Sequence, residues 1–460
     1  MMIRSKTVYL GSYVHSVSLD QLEHVEHAII CVGETGVIEW IEHAGAEDLP
    51  AVSVRRGLVL DDIEVVELGP DEFLSPGFID THTHAPQYPN NGLGHGVPLL
   101  EWLDTLTFPT ERRYKDVEYA RGVYERVVQT TLNAGTTMAC YYGTLHLEAT
   151  QALVDICLEK GQRALVGKCS MDRNSPDTYV EYTSTAISSA QDFVASFPHL
   201  HPAVTASTPS LPPLVQPILT PRMAISTTPE LLTSLSTLAK SFDPPLAIQT
   251  HLSENDEEIR TVGRLFPESK SYTAVYDDFG LLGPGTVLAH CVHLTQEERE
   301  LIKEKDAGIS HCPTSNYFIA SGEARVREML DEGIKVGLGS DCSGGYAHCL
   351  LPVLRLATHV SQSHAFANAQ RRAYKPLSMP EAFYLATMGG AALCRLDNVV
   401  GNFVPGKEFD ALRIKPRSPG VWVHKGEKVE DRFAKWIWAG DDRDIREVYV
   451  RGRLVGGSSR

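Results

Sequence analysis

A histidine pair two residues apart, His82-Thr83-His84, closes the apolar run FLSPGFID, and side chains two apart on an extended chain point to the same side. Three later apolar runs also end in residues that carry chemistry. These are His251 in LAIQTHL, His290 in TVLAHCVHL and Asp341 in KVGLGSD. Imidazoles and a carboxylate converging on one place are the donors a borderline divalent ion such as Zn2+ takes. A single HxH carries little weight. His199-Leu200-His201 has the same spacing, but it follows a helical pattern and precedes a Pro-rich loop, so it reads as a surface pair. Taken alone, His251 or His290 would read as a hydrogen-bonded core histidine; it is their shared position at the ends of successive runs that makes a site.

Imidazoles plus one carboxylate leave Zn2+ an open position, and zinc lowers the pKa of water from about 15.7 to about 7, supplying hydroxide at neutral pH. Glu254 lies three residues past His251, in THLSEN, placed to take that proton and pass it to a leaving group. By itself it would be a charge favoured by a helix N-terminus, and Glu257 and Glu258 beyond it read as solvent charges. The other zinc route to base deamination needs H-x-E with P-C-x-x-C. His146 and Glu148 give an H-x-E, but none of the nine cysteines stands in a PCxxC, and that route is excluded.

The elements that must hold these residues follow from the runs. FLSPGFID, 135–142, 163–171, 214–222, 246–252, 286–294, 307–313 and 335–341 are short and apolar, and segments such as DVEYARGVYERVVQTTLNA and TQEERELIKEKD between them have helical spacing. Short apolar strands separated by helices predict an α/β chain with a parallel sheet. Eight of them predict a (β/α)8 TIM-type barrel over 73–399, whose working residues sit at the C-terminal ends of the strands. Residues 1–72 show all-β patterning and the chain returns to it after 400. The two ends are therefore expected to form one small β-sandwich domain, 1–72 with 400–460. VTASTPSLPPLVQP reads as an exposed loop before the fourth strand, and the Gly-containing segment 89–109 as either a lid or a fixed wall of the mouth.

Composition narrows the partners. With 42 Lys+Arg against 58 Asp+Glu among 460 residues, the formal net charge is −16, which argues against a nucleic-acid or anionic-membrane surface. At 43% hydrophobic and 22% charged the chain is ordinary globular material. No apolar run reaches the ~18 residues of a membrane span, and MMIRSKTVYLGSYVHSVSLDQL lacks the apolar core of a signal peptide. The cysteines read as free thiols of a reducing compartment, and the expectation is a cytoplasmic protein.

The order PGFIDTHTH, a strand-end histidine, LAHCVHL, HCPTSN and GLGSD resembles the metal-dependent amidohydrolase superfamily over nearly the whole chain. Within it, DTHTHAPQYPNNG, PLLEWLDTLTFPTERRY, LTPRMA, QTHLSEN, GSDCSGGY, GNFVPGKEFDA and AGDDRDIREVYVRGR resemble the guanine-deaminating members. The resemblance implies one zinc ion per subunit held by His82, His84, His251 and Asp341, and a cytoplasmic homodimer acting on guanine and water. It implies that Glu254 shuttles the proton, that His290 contacts the bound water or substrate, and that Asp341 also serves as a base. Gln87, Arg222 and Met223 match substrate-pocket positions, alongside His84, His251, Glu254 and Asp341. The family pattern has an aromatic where Met223 stands; a thioether still packs against a ring. Two-metal relatives carry a modified lysine at the end of strand four, where this chain has Thr-Pro-Arg222, so one metal is implied.

Guanine presents O6 and N7 as paired acceptors, the edge an arginine fork reads. Arg222 suits that edge, and Gln87, with a donor and an acceptor, suits the N3/N9 edge. The plainer alternatives are a strand-end salt bridge for Arg222 and a loop hydrogen bond for Gln87. The implied reaction, attack of hydroxide on C2 to give xanthine and ammonia, belongs to purine catabolism or salvage. Adenosine-like, cytosine-like or triazine rings are the alternative substrates of the same chemistry. A non-catalytic amidohydrolase-like scaffold is the alternative of another class.

Overall fold

The computed structural model describes residues 5–43, 48–200, 211–367, 374–458. Eight strands form one parallel sheet: β1 (Phe78–His84), β2 (Thr136–Tyr142), β3 (Arg163–Gly167), β4 (Val215–Pro217), β5 (Ile248–Leu252), β6 (Thr286–His290), β7 (Gly308–His311) and β8 (Lys335–Leu338). Their order is β4-β3-β2-β1-β8-β7-β6-β5. Leu219, just past β4, makes a parallel bridge to Ile248 of β5, its N–H donating to Ala247 O at 2.9 Å and its carbonyl accepting from Gln249 N at 2.9 Å. Every residue of β1, β2, β3, β5 and β6 is buried, which is why these segments read as unbroken apolar runs.

Helices follow the strands. Val117–Asn133, after β1, is started by the Asp116 carboxylate accepting from the N–H groups of Glu118 and Tyr119, and it buries Ala120, Tyr124, Val127, Val128 and Leu132. Gln296–Glu304, after β6, opens on a capping box of Thr295 and Glu298. The apolar residues Ile79, Met138, Cys140, Leu165 and Ile218 of the strands pack against Ala391, Cys394, Leu396 and Val400 as a separate cluster. The histidines and Asp341 lie at the opposite, C-terminal ends of the strands.

The terminal segments form a second eight-stranded sheet, in which Phe73–Pro76 pairs antiparallel with Ala411–Ile414 and parallel with Lys6–Ser16. The run FLSPGFID is therefore two strands in two sheets, split at Gly77, where a Cβ would lie 2.1 Å from Thr137 Oγ1. The expected strands at 163–171 and 214–222 also break, and Cys169–Ser170 pairs with Thr220–Pro221 as a separate short ladder. The two large sheets are tied by Arg163, at the start of β3, whose buried guanidinium reaches Glu408 Oε2 at 2.5 Å and Asp410 Oδ2 at 3.0 Å.

The all-β reading of the first 70 residues misses a helix, Leu49–Arg56. Its β-branched residues suggest a strand. The punctuation decides otherwise: Asp48 caps the N-terminus, Pro50 stands in the first turn and Gly57 closes it at φ 66°. A further helix, Val429–Ala439, interrupts the C-terminal β segments. Residues 204–210, half of the Ser/Thr/Pro-rich stretch, and the side chains of the His199/His201 pair lie outside the described residues, while the stretch expected as loop ends in β4 itself, Val215–Pro217. Among the described residues no helix is long and apolar enough to cross a membrane.

Candidate active site

The strand ends bring His82, His84, His251, His290 and Asp341 together. His84 Nε2 lies 3.1 Å from His251 Nε2, and His82 Nε2 and His84 Nε2 lie 3.1 and 3.5 Å from Asp341 Oδ1. His290 Nε2 stands 3.8 Å from Asp341 Oδ2 and 3.4 Å from Glu254 Oε2. Donor atoms of His82, His84 and His251 fall within 4.8 Å of one another, as do those of His82, His290 and Asp341. The backbone is shaped for this: His290 and Asp341 both hold positive φ, 71° and 46°. Gly339 lets the β8 end approach, since a Cβ there would stand 2.8 Å from His82 Cβ and 2.7 Å from Ser310 Oγ.

The electrostatics suit a divalent cation. Burial lowers the pKa of His82, His84 and His251, the last two far below the ordinary value, so each offers a neutral ring. Asp341 is buried too, yet His82 and its neighbours hold it well below the usual carboxylate range. Among the described residues His82 Nδ1 and His84 Nδ1 have no hydrogen-bond partner, and His82 Nε2 meets Asp341. His251 Nδ1 lies 2.6 Å from the Arg222 carbonyl; donating there leaves its Nε2 lone pair to the cluster. Buried nitrogens without partners, neutral rings and one anionic carboxylate fit a borderline divalent ion.

Glu254 is buried beside this cluster, not displayed on a helix. Burial pushes its pKa up to about 7 against the pull of His290, and Ser321 Oγ donates to its Oε1 at 2.9 Å. His290 titrates above its ordinary value because Glu254 and Asp341 outweigh its burial, and its Nδ1 meets Asn316 Oδ1 at 3.0 Å. Asn316 and Ser321 both follow β7.

Glu258 corrects the reading of it as a solvent charge. It is fully buried, accepting from Glu254 N at 2.8 Å, Asn255 N at 3.2 Å and Tyr272 Oη at 2.9 Å. With Asn255 it makes the capping box of helix Asp256–Leu265, and that box turns its side chain back into the protein. Glu257, one position on, does face solvent and pairs with Arg260 and Arg264.

A small cavity opens above the cluster. His84, Gln87, Arg222, Met223, His251, Glu254, His290 and Asp341 line it; His82 does not, being wholly buried within the cluster. Leu99, Trp102 and Leu103 form part of the wall, on short helical turns of the segment expected as lid or wall, and Ile319 completes it. Arg222 makes the salt bridge that was the plainer alternative: Nη1 and Nη2 donate to Glu111 Oε2 and Oε1 at 2.7 and 3.1 Å. Gln87 likewise makes loop hydrogen bonds, donating Nε2 to Glu111 Oε1 at 2.9 Å and accepting Ser343 N–H at 3.2 Å. Both nonetheless face the cavity.

Sequence reasoning passed over Glu111, Asn316 and Ser321. Glu111 stands in PTERRY, where a glutamate before two arginines looks like a surface charge, and only its burial reveals it. Asn316 lies in HCPTSN, a motif noted for the resemblance but given no residue roles.

The model of the amidohydrolase family matches residues 73–455. A curated guanine deaminase of Dictyostelium discoideum is 43% identical over 465 residues, covering 99% of this chain and 100% of that protein. A probable guanine deaminase of Schizosaccharomyces pombe is 42% identical, covering 98% and 83%. The crystal structure of a guanine deaminase from C. acetobutylicum, with guanine bound in its active site, superposes with a TM-score of 0.86 at 32% identity, covering 98% of this chain and 99% of that one.

Proposed function

The chain belongs to the amidohydrolase family, and from that premise we propose that it hydrolyses guanine to xanthine and ammonia. The observation that carries this reading is one cavity in which a His/Asp cluster faces the paired N–H groups of Arg222 and Gln87. Near full-length guanine deaminase relatives support the same substrate.

His82, His84, His251 and Asp341 would hold one Zn2+ per subunit. A divalent ion there supplies a water-derived nucleophile near neutral pH, by lowering the pKa of water toward about 7. The oxygen bonds to C2 of guanine, the C2–N2 bond breaks, and the water's protons must reach the departing amine. Glu254 carries that transfer, since its carboxyl sits near the working pH in a buried position. His290, held by Asn316 and charged more readily than an ordinary histidine, donates toward the oxygen as negative charge develops on it. Asp341, kept anionic, accepts a proton from the same water. Arg222 meets the O6/N7 edge and Gln87, its acceptor engaged by the Ser343 N–H, donates to N3 on the N3/N9 edge, while Met223 and Trp102 flank the ring. Leu99 and Leu103 exclude water from it.

The parallel sheet is read as a closed (β/α)8 barrel, with the Leu219–Ile248 bridge as its seam, spanning 73–399 except that Phe73–Pro76 pairs into the terminal sheet. The terminal sheet of 1–72 and 400–460 is read as a small β-sandwich beside it, its strands folded about Tyr9, Phe403 and Phe409. A cytoplasmic homodimer completes the reading, on the strength of the family resemblance.

The test is xanthine formation from guanine by purified, zinc-loaded protein, with adenine, cytosine and guanosine in parallel. Turnover of guanine, lost on metal removal and in Glu254→Gln, is the expected result. Turnover of another ring instead would keep the hydrolysis and overturn the substrate. No turnover of any ring with metal bound would favour a scaffold.

A further inference from the structure

Glu111 is the most heavily used carboxylate around the cavity, and it does not line it. Fully buried, it accepts four hydrogen bonds: from Arg222 Nη1 and Nη2, from Gln87 Nε2, and from Tyr179 Oη at 2.7 Å. The chemistry of these partners fixes the Gln87 amide without ambiguity. A carboxylate can only accept, so the donor Nε2 must face Glu111; the Ser343 backbone N–H needs an acceptor, so Oε1 must face Ser343. Arg222 is fixed just as firmly, its fork held bidentate and its guanidinium carbon 5.5 Å from the Phe108 ring centroid.

The acceptor of Gln87 is already engaged by Ser343. Its remaining N–H, and those N–H groups of Arg222 not bonded to Glu111, are what these two residues can offer a ligand. We infer that Glu111 is a positioning residue that determines specificity: by locking Arg222 and Gln87 as donors it restricts the cavity to rings bearing acceptors at this wall, a 6-oxopurine being the class that fits. This rests on the guanine reading above. A ring with an amine at C6 sets N–H against N–H and leaves buried donors without partners, which costs far more than a lost contact. Without Glu111 the Gln87 amide is free to turn and Arg222 to swing, and the preference relaxes.

The experiment compares guanine, 2-aminopurine (no group at C6) and 2,6-diaminopurine (an amine at C6) as substrates of zinc-loaded protein. Each carries the same C2 amine. The unmodified protein is expected to favour guanine over 2,6-diaminopurine on the order of a hundredfold or more in kcat/KM. Glu111→Gln is expected to raise KM for guanine about tenfold or more, with kcat changed by less than about threefold. The guanine to 2-aminopurine ratio should fall with it. Because Glu111→Gln leaves a buried Arg222 without its counter-charge, Glu111→Asp is measured alongside: it keeps the charge, but a methylene shorter it cannot span Arg222, Gln87 and Tyr179 together. A selectivity ratio unchanged in either folded variant, or kcat and KM for all three rings worsening in parallel, overturns the specificity role and leaves Glu111 a structural ion pair. If the unmodified protein turns over none of the three, the guanine reading itself falls, and this inference with it.

Discussion

The Ser321 hydroxyl donates to Glu254 Oε1 across 2.9 Å, linking the segment after β7 to the carboxylate that moves the proton. That bond favours the ionised carboxylate, while burial pushes its pKa up to about 7. Ser321→Ala removes a hydrogen bond that favours the ionised carboxylate, so the acid limb of the kcat/KM profile for guanine should move to higher pH, by roughly half to one pH unit. Profiles of metal-loaded protein over pH 5–9 check this; a limb that stays put, or moves to lower pH, shows that Glu254 does not set it.

Glu258 and Glu257 are adjacent in sequence and opposite in consequence. Glu258→Ala removes the acceptor for Glu254 N, Asn255 N and the Tyr272 hydroxyl, and should cost about 2–4 kcal/mol of stability together with much of the turnover. Glu257→Ala, on the solvent side, should leave stability almost unchanged. Paired denaturant titrations decide between them, and equal effects would contradict the burial difference.

Metal removal offers a third check. Dialysis against a chelator should abolish guanine turnover and lower Tm, because a ligand that binds only the folded state stabilises it by mass action. Zn2+ should restore both. Elemental analysis should find about one ion per chain in the unmodified protein and far less in His82→Ala, which loses a ring buried within the cluster. Full metal content in that variant would remove His82 from the ligand set.

Acid should loosen the terminal sheet through Glu72. Its carboxylate is buried, yet the Gly69 N–H and the guanidinium groups of Arg413 and Arg446 bring its pKa down to about 2 from 4.5. A group with a lowered folded pKa stabilises fully above its unfolded value and loses that stabilisation as pH falls through the folded one. Stability contributed by Glu72 is therefore present above about pH 4.5 and lost between about 4.5 and 2. Unfolding free energies of Glu72→Gln and unmodified protein should converge over that window; a constant gap from pH 7 to pH 2 would contradict the linkage.

The strand-end residues were legible in the sequence because a parallel strand buried on both faces leaves an apolar signature, and a histidine or aspartate at its end breaks that signature visibly. His82, His84, His251, His290 and Asp341 all stand out in this way, and the apolar runs gave the number of strands in the parallel sheet. Capping at Asp48 and Gly57 was present in the sequence as well, but β-branched residues between them masked a helix. What the linear chain could not show is which charges turn inward. Glu254 and Glu258 lie in one acidic stretch with Glu257, and Glu111 sits among arginines; nothing local separates a solvated carboxylate from a buried one. Only folding, by setting Arg222 and Gln87 against Glu111 from strand ends and loops remote in sequence, decides that one buried carboxylate holds both. Hydrogen-bond partners are chosen by proximity in space, and at sequence separations of 24 and 111 residues no pattern along the chain encodes that proximity.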